Sequence, residues 1–334
     1  MSPASLDVLG STGLNVSRVG LGLAALGRPG YINLGHADDL AGRTDEAAME
    51  RRAQRVLDAA WAAGVRYFDA ARSYGLAERF LANWLRARQI APSAVVVASK
   101  WGYTYTAGWR ARAAQHEVKE HSLDAFTRQW AESTALLGPF VKIYQIHSAT
   151  LASGVLENRA VLDELARLKQ TGVHVGLSVS GPTQGATLDR AMRVMRDGVP
   201  LFETVQATWN LLEPSAGNAL AEARQAGMGI IIKEALANGR LTERNREVDF
   251  APRLSVLRGE ANRLGVSVDA LAIAACLAQP FTNVVLSGAA SASQLEANLK
   301  ARNVSLDTAT LGRLASVVES AGDYWQRRQA LPWN

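Results

Sequence analysis

VGLGLAALGRPGYINLGHADDLAGR, residues 19–43, decides between two folds. It opens as a short strand rich in glycine, which invites comparison with a dinucleotide-binding βαβ unit. That unit requires G-x-G-x-x-G at the turn from strand to helix. Gly20 and Gly22 supply the first two glycines, but Ala25 stands at the third position and Gly27 comes too late. RPGYINLGHADDLAGR then replaces the helix whose N-terminus would hold the phosphates. The doubly wound fold fails at its own motif.

The same stretch fits as the first turn of a longer alternation. Eight short apolar runs recur: VGLGLAAL, VRYFDAA, VVVASK, KIYQIHS, HVGLSVS, ETVQATWN, GIIIKEA and NVVLSGA. Between them EAAMERRAQRVLDAAWAAG, LAERFLANWLRAR, ENRAVLDELARLKQTG and GNALAEARQAGMG carry helical periodicity. Strands separated by helices pair in parallel, and eight such units predict an α/β fold of the closed (β/α)8 TIM-barrel type. A single domain over residues 1–334 is expected. An N-terminal β-hairpin (LDVLGSTGLNVSRVG), extra helices near 252–264 and 306–320, and a C-terminal tail (DYWQRRQALPWN) over the barrel mouth complete the expected architecture.

Composition narrows the function classes. Of 334 residues 48% are apolar and 20% charged, which suits a core-forming chain and excludes general disorder. No apolar stretch approaches the roughly 20 residues a membrane helix needs, and MSPASLDVLGSTG lacks a leader's basic start and apolar core. A cytoplasmic protein without membrane partners is expected. The one cysteine, Cys276, lies in the apolar run ALAIAACLAQ, which points to burial and against a disulfide frame or a thiolate metal site. Net charge is +5, but the arginines are interspersed with acids, as in RTDEAAMERR, so nucleic acid is not an expected partner. A basic cleft for an anionic ligand stays open.

In a barrel of this kind the C-terminal ends of the strands share one mouth. The second, third and fourth runs bring there Asp69, with Tyr74 in the loop beyond it, Lys100 and His147. A carboxylate ending an apolar strand is costly unless it is paired, and Lys100 is the expected partner. Each residue alone has an ordinary reading as a loop cap, a solvated lysine or a structural histidine. Four of them at three consecutive strand ends form a pattern.

These residues carry a resemblance. LGSTGLNVSRVGLG, FDAARSYG, the Ser99-Lys100 pair, IYQIHS, GRLT at 239–242 and SGAASASQLEANL at 287–299 resemble, in that order, the segments of the aldo-keto reductases. The similarity spans nearly the whole chain. It implies that Asp69, Tyr74, Lys100 and His147 are the catalytic set of an NAD(P)(H)-dependent oxidoreductase. Hydride addition to a carbonyl leaves negative charge on oxygen, so a proton donor must stand there. Tyr74 is that donor, its phenol drawn down from about 10 by the Lys100 ammonium, which Asp69 keeps charged. His147 fixes the substrate oxygen, and no metal is required.

The resemblance also implies a cofactor site. Trp209 would stack on the nicotinamide, Ser178 and Gln206 hold its carboxamide, Arg240 approach the pyrophosphate, and Gly288, Ser291, Gln294 and Asn298 surround the adenosine half. Two departures are visible. Val179 follows Ser178 where the family commonly has Asn, and Ala289 and Ala290 stand where a cation often binds the 2′-phosphate. NAD and NADP are therefore equally expected, with Lys300 or Arg302 as substitute cations. The substrate is a small carbonyl compound or sugar, lined by Tyr31, Tyr103, Trp109 and Trp325, with Tyr105, His36, Tyr324 and Trp333 as further aromatics. NAD-dependent oxidation of an aldose is a second reading. A nucleotide-sensing partner subunit and a hydrolase with Asp69 and Glu78 as its acid pair are alternatives from other classes.

Overall fold

All eight apolar runs are strands of one closed parallel barrel in the computed structural model of the protein, which describes residues 6–334. They span Val19–Gly22, Tyr67–Asp69, Val96–Trp101, Val141–Ala149, His174–Val179, Thr204–Thr208, Gly229–Lys233 and Val284–Ser287. Neighbours pair in chain order, and the eighth closes on the first through Val285↔Val19 and Leu286↔Gly20. The first five residues, part of the leader reading, lie outside the described residues. Among the described residues no helix is long and apolar enough to cross a membrane.

Period-two alternation turns successive strand residues to opposite faces of the barrel wall. Tyr67, Ala98, Ile143, Ile231 and Val284 cluster with Leu9 and Val16 of the N-terminal hairpin, Leu6–Val8 with Asn15–Ser17, which plugs the barrel's base. Phe68, Val97, Tyr144, Leu177, Val205, Ile230 and Val285 join the larger core formed with the helices. Several helices start where the sequence supplies caps. Asp45, Ser122 and Asn158 accept from Ala48, Ala125 and Val161 to begin Glu46–Ala62, Leu123–Leu137 and Arg159–Gln170.

The first extra helix, Ala251–Leu264, ends on left-handed Gly265. The second is shorter than expected. It runs Thr308–Leu314 with a 3-10 turn to Val317, because Glu319 turns inward, its N–H bonding the Leu212 carbonyl (2.9 Å) and its carboxylate Arg240. The tail forms a helix, Ala321–Ala330, and then crosses the mouth. Asn334 and Tyr31 exchange backbone hydrogen bonds of 3.0 and 3.2 Å, and the Asn334 side chain accepts from the Ala37 N–H (3.0 Å). A hairpin that the sequence reading lacked, Tyr103–Tyr105 with Glu117–Lys119, forms part of the same rim.

Candidate active site

Close approach of two loops builds the mouth. A Cβ on Gly27 would sit 2.2 Å from the Tyr74 carbonyl, and Gly75, at φ +60°, lies just as tightly against Gly27. The glycine displaced from the dinucleotide motif thus lets the first loop lie on the Tyr74 turn, where the Leu76 N–H bonds the Gly27 carbonyl (2.7 Å).

Asp69 and Lys100 are an ion pair with both side chains buried. The Lys100 ammonium also donates to the Ala70 carbonyl (2.9 Å) and to the Tyr74 hydroxyl (3.3 Å), while Gln206 Nε2 donates to the second Asp69 oxygen (2.8 Å). The strand-end carboxylate is thereby fully engaged. Its Lys100 is drawn below the ordinary lysine range by burial, with Asp69 acting in the opposite sense. The Tyr74 phenol moves the other way from expectation. Burial, followed by the Asp69 carboxylate, pushes it well above its usual value. Tyr74 therefore keeps its proton, with the Lys100 ammonium beside its hydroxyl.

His147 reaches the mouth through a β-bulge. Register shifts between Ile146 and Ala149, Ser148 adopts φ +51°, and the Ser148 N–H bonds Ser178 Oγ (2.8 Å). Ser178 is thus committed to the bulge that aims His147. The imidazole packs edge-on against Tyr74 (ring centroids 5.5 Å) and Tyr103 (5.0 Å). Burial and the nearby Lys100 and Arg28 cations hold its pKa well below the ordinary value, so the ring is neutral.

A cavity of about 590 Å³ runs over this floor, lined by Asp69, Tyr74, His147 and Gln206 and continuing past Gly288 to Gln294 and Asn298. Asn298 donates to Ser287 Oγ (2.9 Å), and Gln294 bonds the Ala290 N–H and Asp39 (2.8 Å each). Ser291 caps the helix Ala292–Leu299 and does not line the cavity. Tyr31 and Trp333 line the rim. Trp109 instead packs on Phe80 and donates to the Thr44 carbonyl (2.7 Å), and Trp325 packs on Tyr324.

Two expected cofactor residues face elsewhere. Strand parity that points Gln206 inward turns Trp209 outward, where it meets Phe281 (6.1 Å) in the helix-facing core. Arg240 is buried in a two-pronged pair with Glu319 (2.9 and 2.6 Å). Glu78, the other half of the hydrolase pair, is buried outside the cavity against Arg72, Ser99 and Ser133. Cys276 is buried, and burial pushes its thiol up.

The sequence reading passed over several residues around the mouth. Arg28 is held by Glu117 (2.9 Å) beneath the rings of Tyr31, Tyr74 and Trp333 (5.4, 5.3 and 4.8 Å). Glu234 is paired with Arg328 of the tail helix, and Lys233 lines the cavity beside them. The rule that singled out Lys100, a lysine ending a barrel strand, applies equally to Lys233 in GIIIKEA.

Residues 19–319 match the pattern of the aldo/keto reductase family. The chain belongs to that family. This aldo/keto reductase is 27% identical to L-galactose dehydrogenase of Arabidopsis thaliana, with 96% of each chain covered. It is 25% identical to pyridoxal 4-dehydrogenase of Microbacterium luteolum over 77% of this chain and 78% of that one. An aldo-keto reductase of Bacillus halodurans, solved in its holo form, superposes with a TM-score of 0.71 at 20% identity, covering 95% of this chain and 97% of that one, a likeness of fold. The aldo/keto reductases are oxidoreductases that use NAD(P)H, so the chain is placed among nicotinamide-linked enzymes.

Proposed function

We propose that this single-domain enzyme transfers hydride between a nicotinamide nucleotide and the carbonyl or alcohol carbon of a small substrate, with Tyr74 as the general acid and base. The observation that carries the reading is the buried Lys100, bonded at once to Asp69 and to the Tyr74 hydroxyl on the floor of the cavity. The residues fit a nucleotide. The cavity continues from Tyr74 and His147 to Gln294 and Asn298, Gly288 leaves its wall open, and the buried Asn238 Oδ1 in its lining has no partner. Gln206, Gln294 and Asn298 would hold such a cofactor.

When bound, the reduced nicotinamide supplies the hydride. Neutral His147 donates a hydrogen bond to the substrate oxygen and sets its orientation. Tyr74 gives its proton to that oxygen as negative charge develops there, and the Lys100 ammonium stabilises the resulting phenolate. Asp69 and Gln206 keep Lys100 charged and aimed. The reverse sequence oxidises an alcohol or a lactol. Oxidation of an aldose is favoured as the second reading by the likeness to L-galactose dehydrogenase along 96% of both chains.

NAD(H) should serve at least as well as NADP(H). Ala289 and Ala290 are buried, Arg302 donates to the Ala63 carbonyl (2.9 Å), and Lys300 is exposed away from the cavity. The cation that does line this end, Arg244, is engaged by Asp39 (2.8 and 2.5 Å). The test of the main reading is Tyr74→Phe. Cofactor binding, followed by nucleotide fluorescence, should stay near wild type while turnover of aldehydes falls by about 10²-fold or more. Undiminished turnover would refute it.

A further inference from the structure

We propose that Lys233 selects substrates that carry a carboxylate, its ammonium binding the anion inside the mouth. The inference rests on reading the cavity as a carbonyl and alcohol site.

Charge accounting around the inner mouth leads to it. Four cations, Lys100, Arg28, Arg328 and Lys233, stand with three carboxylates, Asp69, Glu117 and Glu234. Three pairs use up the carboxylates: Lys100 with Asp69, Arg28 with Glu117 (2.9 Å), and Arg328 with both oxygens of Glu234 (2.9 and 3.0 Å). Lys233 is left over. Its nearest carboxylate oxygen, on Glu234, is 4.0 Å away and already held by Arg328. The hydrogen bond it makes among the described residues is to Thr208 Oγ1 (2.6 Å). An ammonium has three donors, so two remain for a ligand.

A cation only 15% exposed, whose one neighbouring carboxylate stands 4.0 Å away and is shared with an arginine, is costly to keep charged. Glu234 reinforces the point. It adopts φ +56°, an uncommon backbone for a non-glycine residue, and its carboxylate takes its direct charged hydrogen bonds from Arg328, reaching Lys233 only at 4.0 Å. The other charged lining residues, Asp39, Glu243 and Asp269, gather about Arg244 near Gln294 and do not neutralise Lys233. A substrate carboxylate would complete the set, through charge-assisted hydrogen bonds in a partly dry site.

The selection should depend on pH. Burial draws the Lys233 ammonium down to about 8; Glu234 and Asp69 act to keep it charged, while Arg328 and Lys100 oppose this. Its remaining close neighbours, Thr208 and the Trp325 ring at 5.7 Å, do not titrate near neutrality. Preference for a carboxylate should therefore be full near pH 7 and fade as pH rises past about 8.

Matched aldehydes test the proposal: 4-carboxybenzaldehyde against its methyl ester, and succinic semialdehyde against butanal, each with saturating NADH and with saturating NADPH. Wild type should favour the acid of each pair by about tenfold or more in kcat/KM, the scale of one charge-assisted contact. Lys233→Met should bring both ratios near unity, chiefly through a higher KM for the acids, and Lys233→Arg should restore the preference. NADH affinity, read by fluorescence, separates the alternative role. A wild type indifferent to the carboxylate overturns the proposal. So does a Lys233→Met variant that loses both members of a pair equally while its NADH affinity falls, which would make Lys233 a cofactor residue. Absence of turnover for all four aldehydes would overturn the underlying reading as well, whereas brisk turnover of the neutral members without selection would overturn the role of Lys233 alone.

Discussion

Arg240 and Glu319 give opposite predictions depending on whether the arginine serves the nucleotide or the fold. Their side chains are 1% and 3% exposed and meet through two hydrogen bonds of 2.9 and 2.6 Å. Arg240→Met removes one partner and leaves the Glu319 carboxylate buried without its cation. Breaking a buried pair in this way costs about 3–5 kcal/mol. With an unfolding entropy of about 2.1 cal/mol/K per residue, a chain of 334 residues has about 0.7 kcal/mol/K, so the midpoint should fall by about 4–7 °C. Glu319→Leu should cost a similar amount. The double variant should recover most of the loss, because no charge is then stranded and the two effects couple strongly. Thermal melts report the first quantity, and NADH and NADPH titrations of the folded single variants should lie close to wild type. An unchanged melting midpoint for Arg240→Met together with a large loss of nucleotide affinity would refute the structural assignment and return Arg240 to the pyrophosphate.

Lys100→Met should cut turnover by about 10²-fold or more and move the limb of the pH–rate profile that reports the donor to higher pH; a profile superimposable on wild type would remove Lys100 from the mechanism. His36 is buried with both ring nitrogens unpartnered, and burial holds its pKa at about 4, against 6.5 when free. Below pH 6.5 the unfolded chain takes a proton that the folded chain refuses, so stability should fall by up to about 3 kcal/mol as pH drops from 6.5 to about 4. His36→Leu should flatten that slope in denaturant titrations at pH 7 and pH 5, and an unaltered slope would contradict the account. Asp39→Asn should weaken the hold on Arg244 and shift relative affinity toward NADP(H) by about 1–3 kcal/mol, the worth of a charged hydrogen bond, measured by titration with both nucleotides.

Legibility differed sharply between backbone and partners. The strands could be read because each is a short apolar run bounded by polar turns, and the barrel followed from their alternation with helices. Asp69, Tyr74, Lys100 and His147 could be located because strand ends meet at one mouth whatever their separation along the chain. Trp209 was misplaced although its parity with Gln206 was there to be counted: one residue beyond the strand end at Thr208, it continues the outward-facing series of Val205 and Ala207 into the helix-facing core. Arg240 was misplaced for a different reason. Its partner Glu319 lies 79 residues later, and no local pattern announces a pairing across that distance. The same holds for Arg28 with Glu117 and Glu234 with Arg328, whose loops and tail meet only when the barrel has closed. The Tyr74 pKa rises rather than falls because burial, which a sequence does not display, and the Asp69 carboxylate act in the same direction.

The backbone bridge between Tyr31 and Asn334 also bears on the order in which the molecule acquires its working form. The tetrad comes from residues 69–147, yet the rim above it joins segments about three hundred residues apart. Closing so long a span brings an entropic cost before its contacts offset it, so such contacts tend to form late in folding. A chain still emerging during synthesis would therefore carry its chemical groups well before it has walls to exclude water from them. The rim then closes over those groups in the step that brings Tyr31 and Asn334 together.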